Sequence, residues 1–169
     1  MHPSEADKLE RFIAERGRPL LAAAKLLTGS QEAAEDLLQA ALERLIRHWS
    51  RIEGDPEGYL RRTLYNLAAD GWRRRRTRIA GLRRLDAAAR SGSVADQTEI
   101  VDLRDALIRQ LLTLPPRQRA VLVLRYWEGL TEAEAAAILG CSPGTIKSAT
   151  SRGLARLRQQ TEAPLEESR

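Results

Sequence analysis

Residues 130–158 read LTEAEAAAILGCSPGTIKSATSRGLARLR, and this stretch decides the fold. Thr131 can cap a helix, and Glu134 three residues on completes a T-x-x-E capping box, with Ala135, Ala136, Ile138 and Leu139 as a compact apolar face. Gly140 stands where a helix commonly stops in a left-handed conformation, and Ser142 then Pro143 read as the N-cap and first residue of a second helix. Small Ala136, turn Gly140 and β-branched Ile146 fall where two crossing helices need a close contact, a sharp turn and a buried anchor. The expectation is a helix-turn-helix. On its second helix Ile146, Thr150, Gly153, Leu154 and Leu157 form the inner stripe, leaving Thr145, Lys147, Ser148, Ser151, Arg152 and Arg156 outward. Hydroxyls and cations on an outward face suit base edges and phosphates. An ordinary helical hairpin with a solvated polar face would not require this small-Gly-Ile pattern.

Composition points the same way. A chain of 169 residues with 43% apolar content, few aromatics and many Ala, Leu and Arg favours helices, and a soluble all-α protein is expected. The net charge of +5 is unevenly spread. Residues 61–84 carry nine arginines against Asp70 alone, whereas residues 1–60 hold eight basic and eleven acidic residues. A positive field concentrated in this way suggests a polyanionic partner, set against the plainer reading of a solvated basic helix face. Cys141 is the sole cysteine and sits in the helical turn, which excludes a disulfide framework or a Cys-based zinc site. His2 and His48 belong to no recognisable ligand or catalytic arrangement, and no enzyme motif emerges, so neither catalysis, a metal nor a cofactor is expected. The N-terminus has no signal-peptide core, and no run approaches the roughly 20 apolar residues of a membrane span. A cytoplasmic location without membrane insertion follows as the expectation.

Upstream, Ser4 can cap a helix through Leu9, Phe12 and Ile13 that Gly17 and Pro19 interrupt before Leu20 to Leu27 resumes. After the turn Thr28–Ser30, apolar residues recur from Ala34 to Trp49 with helical periodicity. Gly54, Asp55 and Pro56 mark a turn, and a third long helix is predicted from Pro56 or Glu57 to about Arg76. Its inner stripe is Leu60, Leu64, Leu67, Ala68 and Gly71 or Trp72; its outer side carries Arg61, Arg62, Asn66, Asp70 and Arg73 to Arg76, with Tyr59 and Tyr65 at the margins. Cations interleaved with aromatics can grip phosphates while stacking on bases, although aromatics at helical spacing also fill cores. Residues 77–100 lose periodicity and read as a linker. Two more helices, from Asp102 to Leu112 and from Arg117 to about Trp127, precede the helix-turn-helix, the second presenting Ala120, Val121, Leu124 and Tyr126 or Trp127 as core. An acidic tail, residues 161–169, is expected to fray.

Taken in order, AEDLLQAALERLIRHW at 34–49, DPEGYLRRTLYNLAADGWRRRR at 55–76 and LTLPPRQRAVLVLRYWEGLTEAEAAAILGCSPGTIKSATSRGLARLR at 112–158 resemble regions 2 and 4 of bacterial RNA polymerase sigma factors of the extracytoplasmic function type, compact members of the sigma-70 family. The resemblance covers about residues 10–160. It implies two small helical domains joined by a flexible linker: region 2 over residues 5–76 and region 4 over residues 101–160. It further implies polymerase binding through Glu35, Asp36, Leu38, Gln39 and Leu42, with Ala40 where the family usually has an acidic residue. Minus-10 recognition and melting would fall to Arg61, Arg62, Asn66, Asp70, Arg73 and Arg74. Minus-35 reading would fall to Thr145, Lys147, Ser148, Ser151, Arg152 and Arg156, with Ala149 standing where many relatives have arginine and Thr150 where they have an aliphatic residue. The implied partners are core RNA polymerase, promoter DNA and, as in many relatives, an anti-sigma factor. The rival readings are a free-standing helix-turn-helix regulator of paired half-sites, and a nucleic-acid enzyme, for which carboxylate and metal-ligand clusters are lacking.

Overall fold

The computed structural model describes residues 4–82 and 99–162; most of the expected linker and the tail lie outside these residues. Every element they form is helical. α1 (Glu5–Thr28) starts at Ser4, whose hydroxyl accepts from the Asp7 N–H at 3.1 Å while the Asp7 carboxylate accepts from the Ser4 N–H at 2.9 Å. The break expected at Gly17 and Pro19 is absent, and α1 runs through both. A proline inside a helix costs about 3 kcal/mol, but Leu20, Ala23, Ala24, Leu26 and Leu27 are all buried just beyond it. At roughly 1.5–3 kcal/mol for each fully buried leucine, that stripe outweighs the missing hydrogen bond.

Gly29 ends α1 in the left-handed conformation, with φ 86°. Ser30 then caps α2 (Gln31–His48) by accepting the Ala33 N–H. A single 3-10 turn, Trp49–Arg51, and a loop through Gly54 lead into α3 (Pro56–Leu82). α3 extends past the expected end near Arg76, since the arginines are good helix formers and nothing breaks the pattern there. α1, α2 and α3 form a bundle around Ala23, Leu27, Ala34, Ala41, Leu45, Leu60 and Leu64, all fully buried.

The C-terminal half comprises α4 (Glu99–Thr113), α5 (Pro116–Leu122), α6 (Glu132–Leu139) and α7 (Pro143–Glu162). α5 does not continue as an ordinary helix to Trp127. Val123–Trp127 widens into a π turn, closed by the Glu128 N–H donating to the Val123 carbonyl at 3.0 Å. Val121 to Leu124 are buried in succession, and the wider turn then carries Tyr126 and Trp127 outward, 62% and 50% exposed, rather than into the core. Among the described residues, no helix is long and apolar enough to cross a membrane.

The two halves share one continuous core, and Arg119 lies at their seam. Its Nη1 donates to the Leu27 carbonyl of α1 at 2.7 Å, its Nε to Leu111 of α4 at 2.9 Å, and its Nη2 to Leu112 and Leu114 at 3.0 and 3.2 Å. The guanidinium also lies 5.6 Å from the ring centre of Trp72 on α3. One cation therefore serves the negative C-terminal ends of two helices and a ring of a third. Alongside it Leu112 packs on Gly29 so closely that any Cβ there would collide with the leucine methyls.

Replacing Arg119 by Leu should lower the unfolding free energy by about 3 kcal/mol, because several buried carbonyls lose their donor together. A urea titration reads this directly. Arg119→Lys should recover only part of the loss, since an ammonium cannot span the same carbonyls. A midpoint unchanged in both variants would show that the seam holds by apolar contact alone.

Candidate functional site

Three surfaces gather the residues that the sequence singled out. The first lies on α1 and α2. Leu38 is buried, half-buried Leu42 and exposed Glu35 and Gln39 stand beside it, and together with Leu21, Glu43 and Ile46 they line a shallow recess of about 360 Å³. Asp36 is exposed but not part of the lining. Ile46, half exposed, and Leu21 on the neighbouring helix were missed; Ile46 carried the right signal as a periodic apolar residue, whereas Leu21 is brought in by packing alone. The recess is apolar at its floor and acidic at its rim, a surface suited to an amphipathic basic helix.

α3 carries the second surface. Arg62, Asn66, Arg73 and Arg74 are exposed, and Arg73 pairs with Asp70 at 2.5 Å across one turn. Arg61 behaves differently. Its guanidinium pairs with Glu57 at 2.9 Å and, across the seam, with Glu128, and its side chain is only 19% exposed. Burial opposes its charge, but the Glu128 and Glu57 carboxylates outweigh this and raise its pKa further. The aromatic residues divide. Tyr65 is fully buried and donates to Glu128 at 2.7 Å, with burial and then Glu128 pushing its pKa well up; Trp72 lies half-buried beneath Arg119. Neither is free to stack on a base. Tyr59 is different, standing 6.2 Å from the His48 ring at the wall of a recess of about 400 Å³ that Arg51, Asp55 and Arg62 also border. The sequence reading did not find this recess, because the loop before α3 must fold back onto α2 to create it.

The third surface is the helix-turn-helix formed by α6 and α7. Thr131 Oγ1 accepts the Glu134 N–H at 3.2 Å, and the Glu134 carboxylate accepts the Thr131 N–H at 2.7 Å, so the expected capping box is present. Gly140 turns the chain with φ 62°, and Ser142 accepts the Thr145 N–H at the start of α7. Ile146 is fully buried, as the anchor position requires. Thr145, Lys147, Ser148, Ser151, Arg152 and Arg156 are all exposed. Ser148 bonds back to the Gly144 carbonyl and half-buried Thr150 to that of Ile146, so Thr150 is satisfied within its own helix. Gly153 is buried where α5 crosses, with Leu122 3.1 Å from where its Cβ would be. Ala149, 6% exposed, helps to line a groove of about 570 Å³ between α7 and the start of α5, which Arg117 and Gln118 complete opposite Ser148 and Arg152. Arg117 and Gln118 were not anticipated, since only the crossing of the two helices brings them there.

These surfaces match known proteins. Residues 12–78 match the family model described as sigma-70 region 2, and residues 104–157 match sigma-70 region 4. The RNA polymerase sigma-E factor of Streptomyces avermitilis is 38% identical over 165 residues, covering 96% of this chain and 90% of that protein. The ECF RNA polymerase sigma factor SigM of Mycobacterium tuberculosis is 33% identical over 142 residues, covering 83% and 70%. The chain belongs to the extracytoplasmic function group of the sigma-70 family. In fold it is similar to the sigma factor RpoE of Bartonella quintana, with a TM-score of 0.71, 24% identity, and 93% of this chain and 98% of that one covered. Sigma factors are transcription initiation factors rather than enzymes. The first two surfaces thus fall in sigma region 2 and the third in region 4.

The capping box of this sigma factor carries a pH signature. The hydroxyl and then the backbone N–H of Thr131 hold the Glu134 carboxyl below its usual range. A carboxyl lowered by folding contributes stability above its ordinary pKa, and that contribution fades as pH falls through the depressed value. In Thr131→Ala, Glu134 should titrate closer to the ordinary carboxylate range when followed by NMR. An unmoved titration would remove the capping box as the cause.

Proposed function

We propose that the three surfaces divide the work of a promoter-specificity factor. The protein binds core RNA polymerase and directs promoter-specific initiation. The recess of Leu38, Leu42 and Ile46 receives a polymerase helix; Glu35 and Gln39 bond at its rim, with Asp36 adding charge beside it. Arg61, Arg62, Asn66, Asp70, Arg73 and Arg74 serve the minus-10 element, where binding to unstacked bases opens the duplex at a few kcal/mol per extruded base. The recess between Tyr59, His48 and Arg62 is wide enough for one such base and offers a ring wall and a cation. Thr145, Lys147, Ser148, Ser151, Arg152 and Arg156 read or position the minus-35 element in the major groove, with Arg117 and Gln118 extending that grip across the groove floored by Ala149.

The observation that carries this reading is the exposure of the outward face of α7 on an intact helix-turn-helix within the same chain as an exposed arginine helix. Two grips on one chain bind weakly apart and tightly together, because the second contact becomes intramolecular. Region 2 is assigned to 5–76 and region 4 to 101–160; of the linker expected over 77–100, residues 77–82 belong to α3 and 99–100 to α4. The protein acts in the cytoplasm, where polymerase and promoter are, and performs no catalysis of its own. An anti-sigma factor is a further partner, such as the Bartonella relative binds in its solved complex. A free-standing regulator would leave the polymerase-facing recess without a purpose.

Run-off transcription from host promoter fragments, with core polymerase and with or without the protein, tests the whole. Transcript starts that depend on the protein and share two spaced upstream motifs are expected. Ile46→Asp, at an exposed position, should weaken core binding by about tenfold by placing a charge in an apolar contact. Lys147→Ala should leave core binding intact and reduce the salt slope of promoter binding by about one. Unchanged starts together with no binding to core would overturn the reading.

A further inference from the structure

α7 turns small hydroxyls toward the groove that it shares with α5, but their hydrogen-bonding capacity is partly spent. Ser148 donates to the Gly144 carbonyl at 3.0 Å, and Thr145 Oγ1 lies 2.9 Å from Ser142 Oγ. Arg117 and Arg152, which line the groove as well, are donors only. Gln118 is different. It lines the same groove from α5, and its Oε1 is buried without a hydrogen-bond partner among the described residues. Trp49 Nε1 and Arg125 Nε share that condition, but both are donors and neither lines this groove. A buried amide oxygen without a donor is unfavourable, and turning it outward breaks no bond. A ligand that brings a donor is favoured there.

The backbone beneath that amide is fixed. Gly153 lets α5 approach α7 until Gln118 Cβ is 3.6 Å, and the nearest Leu122 methyl 3.1 Å, from where a Cβ on Gly153 would lie. The next residue, Arg119, is held by its buried carbonyl contacts. Ala149, one turn before Gly153 on α7, lines the groove and leaves open the space that a longer side chain would fill. Gln118 and Ala149 thus stand together at the crossing.

Phosphates and base edges make different demands on such a group. A phosphate offers acceptors alone, which suit Arg117 and Arg152 and leave the Gln118 oxygen unmet. In the major groove adenine presents its N6 amine beside the N7 acceptor, a pair that one amide matches with both of its polar atoms, and the thymine opposite presents a methyl group that suits an alanine. A G·C pair divides its acceptors and its amine between two bases. We propose that Gln118 reads an A·T pair of the minus-35 element: its Oε1 accepts from the adenine N6 amine and its Nε2 donates to N7. The proposal rests on the reading of α7 as the minus-35 helix and adds to it a base-specific contact from a second helix.

The test uses the full chain with core polymerase, on a promoter found by run-off transcription in which each base pair of the minus-35 motif is replaced in turn. The wild type should favour A·T over G·C at one position by about tenfold. Gln118→Ala should remove that preference at that position alone. Gln118→Glu, an acceptor without a donor, should move it toward cytosine. An adenine analogue with carbon in place of N7 should weaken promoter binding by the wild type but not by Gln118→Ala. An unmoved wild-type affinity for the analogue would overturn the proposal without recourse to any variant. A loss spread evenly over all the sequences would assign Gln118 to the phosphates and overturn it too, as would a preference that Gln118→Ala leaves unchanged. Any of these results, obtained with transcript starts that still depend on the protein, would leave the sigma reading standing; an absence of such starts would remove both.

Discussion

The arrangement of the whole molecule depends on one buried guanidinium. The C-terminal turns of α1 and α4 present carbonyls that no helix can satisfy, and burying them together without donors would be unfavourable by several kcal/mol. Arg119 resolves this by donating to Leu27, Leu111, Leu112 and Leu114 at once, which a planar fork can do and a point charge cannot. The close approach it requires also needs Gly29, where the backbone is left-handed and Leu112 occupies the space of a side chain. With those two conditions met, the halves pack as one body, and Glu128 is carried to within reach of Arg61 and Tyr65. The ion pair beside the arginines of α3 is thus a consequence of the carbonyl contacts elsewhere along the seam.

The helix-turn-helix was legible in the sequence because every instruction for it is local. Thr131 and Glu134 lie three residues apart, Gly140 follows Leu139 directly, and Ile146 comes six residues later; each acts on its own neighbours along the chain. The starts of α1 and α2 at Ser4 and Ser30 were legible for the same reason. What local reading could not weigh was burial. Pro19 and Gly17 argue for a break, but the leucines and alanines that follow gain more from α2 and α4 than the proline loses. Tyr65 looks like a stacking platform at the margin of an arginine-rich helix, and it is the other half of the molecule, through Glu128, that takes up its hydroxyl. The π turn at Val123–Trp127 leaves no mark in the periodicity.

The functional surfaces follow the same rule. The outward residues of α7 could be named from helical spacing, since the inner stripe fixes which face is outer. Ala149 and Thr150 show the boundary of that argument: Ala149 has the side-chain size that leaves a groove beside α5, and Thr150 bonds to its own backbone. Arg117 and Gln118 enter the same groove from a helix that is some thirty residues earlier in the chain, and no pattern within α5 marks them. Likewise Arg61 and Arg62 are adjacent in sequence and chemically identical. One lies in a buried ion pair and the other on an open recess, because successive helical residues point about 100° apart.

A seam built this way combines a continuous apolar core with polar contacts at two places, Arg119 and Glu128. The apolar core runs through both regions, and buried ion pairs often contribute little net stability relative to apolar side chains of the same size. What a buried pair does provide is specificity, since its partners are poorly satisfied in any other register. Separation exposes Glu128 and Arg61 to water or to new partners, both of which can satisfy them, so the open state is not heavily penalised for these groups. At Arg119 several carbonyls share a single donor. The seam therefore has backbone carbonyls gathered on one donor at Arg119 and a carboxylate held by two donors at Glu128, the latter beside the arginines of α3.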